Sequence, residues 1–253
     1  MKVFKFGGAS VKDASAVKNV AYVLSLYNKE KVTVIISAMG KTTNASEAIV
    51  EALWNKEKSK FEVLVEERRN FHLKIMNELF ENKDNIIYSD ISSLFNQLKK
   101  KINQTISSNF NFEYDQIVSL GEIASTKIVT AYLNQENLNA KWVDARKVIR
   151  TNNSYREGNV DWEITNNLIQ KSFIKSFENK DIQITQGFIG HTSEGFTTTL
   201  GREGSDYTAG IFAYCLNAES VTIWKDVHGM LNADPKWFDN TIKLDKISFK
   251  EAI

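Results

Sequence analysis

Residues 32–37 (VTVIIS) form an almost continuous apolar run, and this run limits the choice of fold more than any other part of the chain. A strand with one face in water alternates polar and apolar residues, whereas a strand of a parallel sheet is covered on both faces and is apolar throughout. The strand-like stretch Lys2–Phe6 comes before it, and Asp13–Tyr27 between the two carries apolar residues at helical spacing. A strand, a helix and a strand at these distances predict a βαβ unit and therefore a parallel sheet.

The rest of the chain continues this alternation around a long helical middle. Asn44 and Glu47 have the spacing of a capping box with Asn44 in the cap position, and residues 44–109 are mostly helical and charged. Within that segment we expect Lys99–Lys101 to lie on a solvated helix face. The remaining predicted elements are a helix over Tyr114–Leu133 that contains Gly121 and Glu122, and strands over Lys141–Asp144, Ile182–Ile189 and Ser220–Trp224.

The composition excludes several classes of protein. The sequence has 253 residues, 42% of them hydrophobic, which is enough for a core in one large domain or two small ones. Lys and Arg number 32 against 31 Asp and Glu, so the net charge of +1 predicts neither nucleic acid nor a charged membrane as a partner. No stretch approaches the roughly 20 apolar residues of a membrane helix, and no signal peptide is recognisable. With a single cysteine, Cys215, which we expect to be buried, the sequence predicts a cytoplasmic protein.

Two loops near the N-terminus follow predicted strands, where ligands of open α/β sheets bind. In the first, KFGGAS at Lys5–Ser10, backbone N–H groups could cradle phosphates while Lys5 supplies a positive charge. The loop matches neither a dinucleotide fingerprint nor a Walker A loop, so a simple tight turn is the alternative. The second, SAMGKTTN at Ser37–Asn44, offers hydroxyls and a glycine for polar contacts, or merely caps the next helix.

Two further loops carry charged residues between small ones. In TTLGREGSDYTA at Thr198–Ala209, the negative charge of Asp206 would be stabilised by the dipole of the following helix, because Asp206 lies in its first turn. The same dipole does not stabilise a positive charge such as that of Arg202. Arg202 therefore indicates an external anion, which it can bind in a bidentate manner. In WKDVHGMLNADP at Trp224–Pro235, two acids and a lysine follow a predicted strand. No second histidine or cysteine stands at ligand spacing from His228, which argues against a zinc site built by the protein.

Together, and in this order, the four motifs resemble the aspartokinases of the amino-acid kinase superfamily over essentially the whole chain. Each motif is weak alone, but the set is very specific. The resemblance implies an α/β fold, a three-layer αβα sandwich with a mostly parallel central sheet and a helical insert in the middle. It also implies transfer of the γ-phosphoryl group of ATP to the side-chain carboxylate of L-aspartate. The product, 4-phospho-L-aspartate, leads to lysine, threonine and methionine.

The resemblance implies roles for individual residues. Lys5 and Asp206 would form the catalytic centre, with Lys5 neutralising the transferring phosphoryl group and Asp206 orienting Lys5. A carboxylate nucleophile with a pKa near ~4 is ionised at neutral pH and needs no general base. Mg²⁺ would be held mainly by the phosphates of ATP. Residues matched to substrate binding are Ser37, Thr43, Glu122, Arg202, Glu203, Gly204 and Ser205, with Glu122 suited to the α-ammonium group. Residues matched to nucleotide binding are Lys5, Gly7, Gly8, Ala9, Lys225, Asp226, Leu231 and Lys236.

The chain departs from the family pattern in two respects. The family often has Thr in place of Lys225, and aromatic or Arg residues in place of Leu231 and Lys236. Its members also continue through a further kinase segment into regulatory ACT domains. We therefore expect residues 1–253 to be most of one catalytic domain, with the substrate side mainly N-terminal and the nucleotide side mainly in about 180–253. Such a piece would lack feedback by lysine or threonine, and a homodimer would be weakened without the regulatory domains.

Three other functions remain open on the sequence. Related kinases act on acetylglutamate, glutamate, carbamate or UMP, although the motifs favour aspartate. A bifunctional aspartokinase–homoserine dehydrogenase would share this N-terminal part. The third alternative is a catalytically weak module that binds a nucleotide or an effector, against which the joint presence of Lys5, Glu122, Arg202 and Asp206 argues.

Overall fold

The computed structural model describes residues 1–27, 30–174, 182–225, 227 and 229–252. Among these residues, five strands form a wholly parallel sheet, and two more form a small antiparallel hairpin. The strands are β1 (Lys2–Phe6), β2 (Val32–Ile36), β3 (Ala140–Trp142), β4 (Ile182–Gln186), β5 (Ile189–His191), β6 (Thr197–Thr199) and β7 (Ser220–Trp224). The parallel sheet has the order β3-β4-β2-β1-β7, and the hairpin joins β5 to β6.

Helices cover both faces of the sheet. They are α1 (Ala14–Ser25), α2 (Thr42–Trp54), α3 (Lys58–Leu79), α4 (Ile86–Lys100), α5 (Phe110–Val118), α6 (Leu120–Gln135), α7 (Trp162–Ile169), α8 (Gly204–Cys215) and α9 (Phe249–Ala252). Helices α1 to α6 contribute to one core and α7 and α8 to the other. No helix of the described residues has both the length and the apolar character needed to cross a membrane.

The alternation of side chains along β1 shows how one strand serves two cores. Phe4 and Phe6 are buried in the first core, together with residues of α1 such as Val17. Val3 points the other way, into the second core, where it joins Phe212 of α8. Every residue of β2 is buried, which explains the apolar run in the sequence. The expected α/β class, with a parallel sheet between helical layers, is confirmed.

Two predicted elements are wrong because the chain turns inside them. The helix expected over Tyr114–Leu133 is two helices that meet at Ser119, since α5 packs on α2 and β6 whereas α6 packs on β3 and β4. The strand expected over Ile182–Ile189 ends at Gln186. Phe188 has a left-handed backbone (φ +71°), and this turn carries the chain into β5, outside the parallel sheet.

Smaller differences concern helix ends and one charged run. Asn44 is not the cap of α2, because that helix already begins at Thr42. The predicted strand Lys141–Asp144 is shorter, and Asp144 instead accepts a hydrogen bond from the backbone of Arg146. Within Lys99–Lys101 the first two residues are exposed as expected, but Lys101 forms an ion pair with the buried Glu113. Cys215 is buried, as predicted.

Candidate active site

The loops after β1 and β2 lie side by side at the carboxyl edge of the sheet. The backbone N–H of Gly40 donates a hydrogen bond to the carbonyl of Gly8 over 3.0 Å. A Cβ atom at Gly8 would lie 2.7 Å from the carbonyl oxygen of Gly40 and 2.9 Å from that of Ala38. Only glycine permits this approach, because real Cβ atoms are not found so close to backbone oxygen. The two loops therefore form one continuous rim.

A partly buried ion pair connects β1 to α8. Lys5, near the end of β1 and only 7% exposed, places its Nζ 2.7 Å from Oδ1 of Asp206 in the first turn of α8. Lys225, directly after β7, places its Nζ 3.4 Å from the other oxygen, Oδ2. Burial acts to raise the pKa of Asp206, but its interactions with the two lysines outweigh burial and lower that pKa. Asp206 is therefore an ionised link between the ends of β1 and β7.

A cavity of about 530 Å³ opens beside this pair. It brings together every residue that the sequence matched to catalysis or substrate binding. These are Lys5, Ser37, Thr43, Glu122, Arg202, Glu203, Gly204, Ser205 and Asp206. Their positions come from four separate parts of the chain, so the cavity exists only in the folded protein. The individual roles of these residues stay predictions.

Glu122, in the first turn of α6, is the most unusual group of the cavity. It is 2% exposed, and its Oε2 atom has no hydrogen-bond partner. Burial raises the pKa of Glu122 to about 8, although the backbone N–H groups of Glu122 itself and Ala38 act in the opposite direction. A buried carboxyl oxygen without a partner is unfavourable, and a ligand with an ammonium group would remove that cost.

Arg202 and Glu203 lie in the loop that leads into α8. Glu203 has φ +56° and stands in the cap position of the helix without a side-chain cap. Both side chains are exposed, and no carboxylate of the described residues lies within ion-pair distance of Arg202. An arginine without a partner at the rim of a cavity is suited to a carboxylate or phosphate ligand.

Apart from Lys5, the described residues matched to the nucleotide lie outside the lining of this cavity. Gly7, Gly8 and Ala9 directly follow β1, and the Nζ atom of Lys5 would lie 3.5 Å from a Cβ atom at Gly7. Lys225 reaches the site through Asp206. Leu231 forms an isolated bridge with Lys243, and Lys236 is exposed. Asp226 lies outside the described residues.

The sequence analysis missed several residues that line the cavity: Tyr114, Arg156, Glu157, Phe188 and Thr199. Tyr114 lies in α5, and Thr199 lies in β6, inside the third motif but without an assigned role. Phe188 follows β4 of the parallel sheet, but the sequence analysis placed it inside the strand expected over Ile182–Ile189. For Arg156 and Glu157, the polar segment TNNSYREGN between two predicted elements was the available signal.

Comparison with known proteins agrees with the fold. A model of the amino acid kinase family matches residues 1–253, and the chain belongs to that family. Within the family, lysine-sensitive aspartokinase 3 of Escherichia coli (strain K12) is 35% identical over 250 residues, covering 99% of this chain and 54% of the relative. Aspartokinase 1, chloroplastic, of Arabidopsis thaliana is 31% identical, covering 99% of this chain and 44% of its own length.

A solved structure extends the similarity to three dimensions. The crystal structure of E. coli aspartokinase III in complex with aspartate and ADP has a TM-score of 0.89 and 32% sequence identity, covering 100% of this chain and 55% of that chain. The resemblance to the aspartokinases is therefore confirmed. The chain spans about half the length of the two relatives named above.

Proposed function

We propose that the protein transfers the γ-phosphoryl group of ATP to the side-chain carboxylate of L-aspartate and so forms 4-phospho-L-aspartate. The observation that carries this proposal is the unpartnered Oε2 of buried Glu122 in a cavity that also contains Arg202, which forms no ion pair with the described residues, and the Lys5–Asp206 ion pair. An amino acid needs an anion for its ammonium group and a cation for its carboxylate. The related E. coli enzyme that was crystallised with aspartate and ADP supports the same assignment.

The reaction requires positioning and charge neutralisation more than proton transfer. The aspartate carboxylate is ionised at neutral pH, so it attacks the γ-phosphorus without a general base. Lys5 would stabilise the negative charge on the transferring group, because it is a nearly buried cation near the end of β1. Asp206 would hold the Lys5 ammonium in place through their 2.7 Å contact. Glu122 and Arg202 would fix the substrate so that attack is in line.

Mg²⁺ is part of this proposal, with its ligands expected from the nucleotide. The described residues contain no group of three or more His, Cys, Asp or Glu side chains that could hold a metal ion. Asp206 is already paired with Lys5 and Lys225. The phosphate oxygens of the nucleotide are therefore the ligands that we expect for Mg²⁺.

Three wider predictions accompany the proposed reaction. We propose that the substrate side of the catalytic domain is mainly N-terminal and that the nucleotide side lies mainly in about 180–253, where Lys225, Leu231 and Lys236 would contact ATP. We also propose that the protein acts in the cytoplasm and forms a homodimer.

An assay of ADP release with a panel of acceptors tests the proposed reaction. L-aspartate should support ADP release, and L-glutamate, N-acetyl-L-glutamate, carbamate and UMP should not. Hydroxylamine should trap the acyl phosphate formed from aspartate, which separates phosphoryl transfer from simple ATP hydrolysis. ADP release with another acceptor but not with aspartate would contradict the proposal, and nucleotide binding without ADP release would favour a binding module.

A further inference from the structure

Arg156 lines the cavity with a strained backbone. Its φ angle is +72°, in the left-handed region that residues with a Cβ atom rarely adopt. Such conformations persist where the surrounding structure holds them, and they are concentrated at ligand-binding sites. Two questions follow: which contacts hold the backbone of Arg156 in this conformation, and which ligand its side chain binds.

A buried carboxylate holds the backbone of Arg156. Asp115 of α5 is fully buried, and its Oδ2 accepts hydrogen bonds from the backbone N–H groups of Arg156 and Thr199, both over 2.9 Å. Its Oδ1 accepts a third hydrogen bond, from the hydroxyl of Thr199, over 2.8 Å. Asp115 thus joins the Arg156 loop to the end of β6.

An aromatic ring orients the side chain of Arg156. The guanidinium carbon lies 4.4 Å from the centre of the Tyr114 ring, a cation–π contact. The Tyr114 hydroxyl in turn donates a hydrogen bond to Glu47 over 2.8 Å. Ring and backbone contacts together position the guanidinium before any ligand binds, which reduces the entropy lost on binding.

Among the described residues Arg156 forms no ion pair, although its charge acts to lower the pKa of the buried Asp115. Lys5 is paired with Asp206, whereas no carboxylate in the described part of the chain lies within ion-pair distance of Arg156 or Arg202. The position of Arg156 also differs from that of Lys5, because Arg156 is exposed at the rim and Lys5 is buried at the end of β1. A ligand with two carboxylates would therefore place one carboxylate near Lys5 and the other near an arginine.

We propose that Arg156 is a substrate-binding residue that binds, together with Arg202, the α-carboxylate of the amino acid, the carboxylate that does not receive the phosphoryl group. This inference rests on the proposed function, since it assumes a dicarboxylic amino acid in the cavity. It adds a determinant of specificity, because Arg156 would favour aspartate over analogues that lack the α-carboxylate charge.

The test uses Arg156→Gly in the full chain with two ligands. One is L-aspartate, and the other is its α-amide, in which a neutral amide replaces the α-carboxylate. Loss of a bidentate charged contact should raise the KM for aspartate about 10- to 100-fold. The KM for ATP should change by no more than about threefold. The KM of the α-amide as a substrate, or its inhibition constant against aspartate, should also change by no more than about threefold. Arg156→Lys should recover part of the loss, because it keeps the charge without the planar fork.

Lys56→Gly is the matched control for the backbone. Lys56 is also a cationic residue with a left-handed backbone (φ +57°), but it follows α2 and does not line the cavity. Both glycine variants relieve the same kind of strain, so neither should lower the melting temperature, and only Arg156→Gly should change the KM for aspartate.

Three outcomes separate the hypotheses. An unchanged KM for aspartate in Arg156→Gly overturns the inference. Equal losses for aspartate and its α-amide also overturn it, because Arg156 would then act on something other than the α-carboxylate. If the unaltered protein does not phosphorylate aspartate, the proposed function itself fails, whatever Arg156→Gly does.

Discussion

Lys5 occupies a position on β1 whose neighbour on the same face of the strand, Val3, is part of an apolar core. A nearly buried cation is stable there because Asp206 lies 2.7 Å away. Removing Asp206 would leave Lys5 with an uncompensated charge. Removing Lys5 would leave Asp206 with a second lysine, Lys225. Variants of Lys5 are therefore the cleaner way to separate chemistry from folding.

Lys5→Ala should lower kcat about 10²-fold or more while leaving the protein folded, because it removes charge stabilisation from the transition state. Turnover and circular dichroism measured on the same preparation would check this. Lys18→Ala, at an exposed position of α1, is the control and should keep normal turnover. Near-normal turnover of a folded Lys5→Ala protein would remove Lys5 from the catalytic centre.

Glu122 should make aspartate binding depend on pH. Its pKa of about 8 means that the carboxyl group of the empty site is mostly protonated at pH 6, whereas an ammonium ligand requires the carboxylate. Binding should therefore release a proton below about pH 8, and affinity should rise with pH by up to about tenfold per unit between pH 6 and 8. Calorimetry in buffers of different ionisation enthalpy would measure both effects.

The control for that titration is Glu122→Gln, which keeps the shape of the neutral side chain but cannot ionise. It should bind aspartate more weakly, and its affinity should not change with pH over the same range. A Glu122→Gln protein that kept the full pH dependence would show that another group takes part in the linkage.

The close approach of the β1 and β2 loops gives a prediction about these two connected segments. Gly8→Ala would place a methyl group 2.7 Å from the Gly40 carbonyl oxygen, so the loops must separate. We expect a loss of about 1–3 kcal/mol in the free energy of unfolding, measured by urea titration. Gly210→Ala, in α8 with nothing within 4 Å of the added atom, should instead gain about 0.5–1 kcal/mol. Equal effects of the two substitutions would contradict the packing described for Gly8.

An element could be predicted from the sequence where neighbouring residues determine it, and not where contacts with distant residues determine it. Strands β1, β2 and β7 could be recognised because burial on both faces gives a run of apolar residues, and burial on one face gives alternating apolar and polar residues. The break at Ser119 and the turn at Phe188 arise from the surfaces against which the flanking segments pack, so local periodicity does not contain them.

The cavity follows the same rule. Its sides formed by the first three motifs were predictable from glycines and charged residues after strands. Arg156 was not, because its position depends on a hydrogen bond to Asp115, 41 residues earlier in the chain. No pattern along the sequence connects those two residues.

The stability of the protein as a whole should fall in mild acid because of His72. This side chain of α3 is fully buried; its Nδ1–H donates to the carbonyl of Arg68 over 2.8 Å, and its Nε2 has no partner. Burial lowers the pKa of His72 from 6.5 to about 4, so the unfolded chain binds more protons between these values. The stabilising effect is complete above about pH 6.5 and is lost as pH falls towards 4, with about 2 kcal/mol lost at pH 5.

Urea titrations at pH 7.5 and pH 5 would measure this loss. His72→Leu cannot titrate at that position, so its loss between the two pH values should be smaller than that of the unaltered protein by about 2 kcal/mol. The difference between the two proteins isolates His72 from the other groups that titrate in this range. The same loss in both proteins would show that His72 is not the group responsible.

The order of the strands also has a consequence during synthesis on the ribosome. β1 is hydrogen-bonded to β2 on one edge and to β7 on the other, where Lys2 pairs with Ser220. At a translation rate of about 5–20 residues per second, the second partner emerges roughly 10–40 s after the first strand. During this interval the nascent chain exposes an unpaired parallel edge, which invites pairing with other chains. The nascent chain also contains Lys5 before Asp206 has been synthesised. Chaperone binding during this interval would protect the Lys5 segment from pairing with other chains.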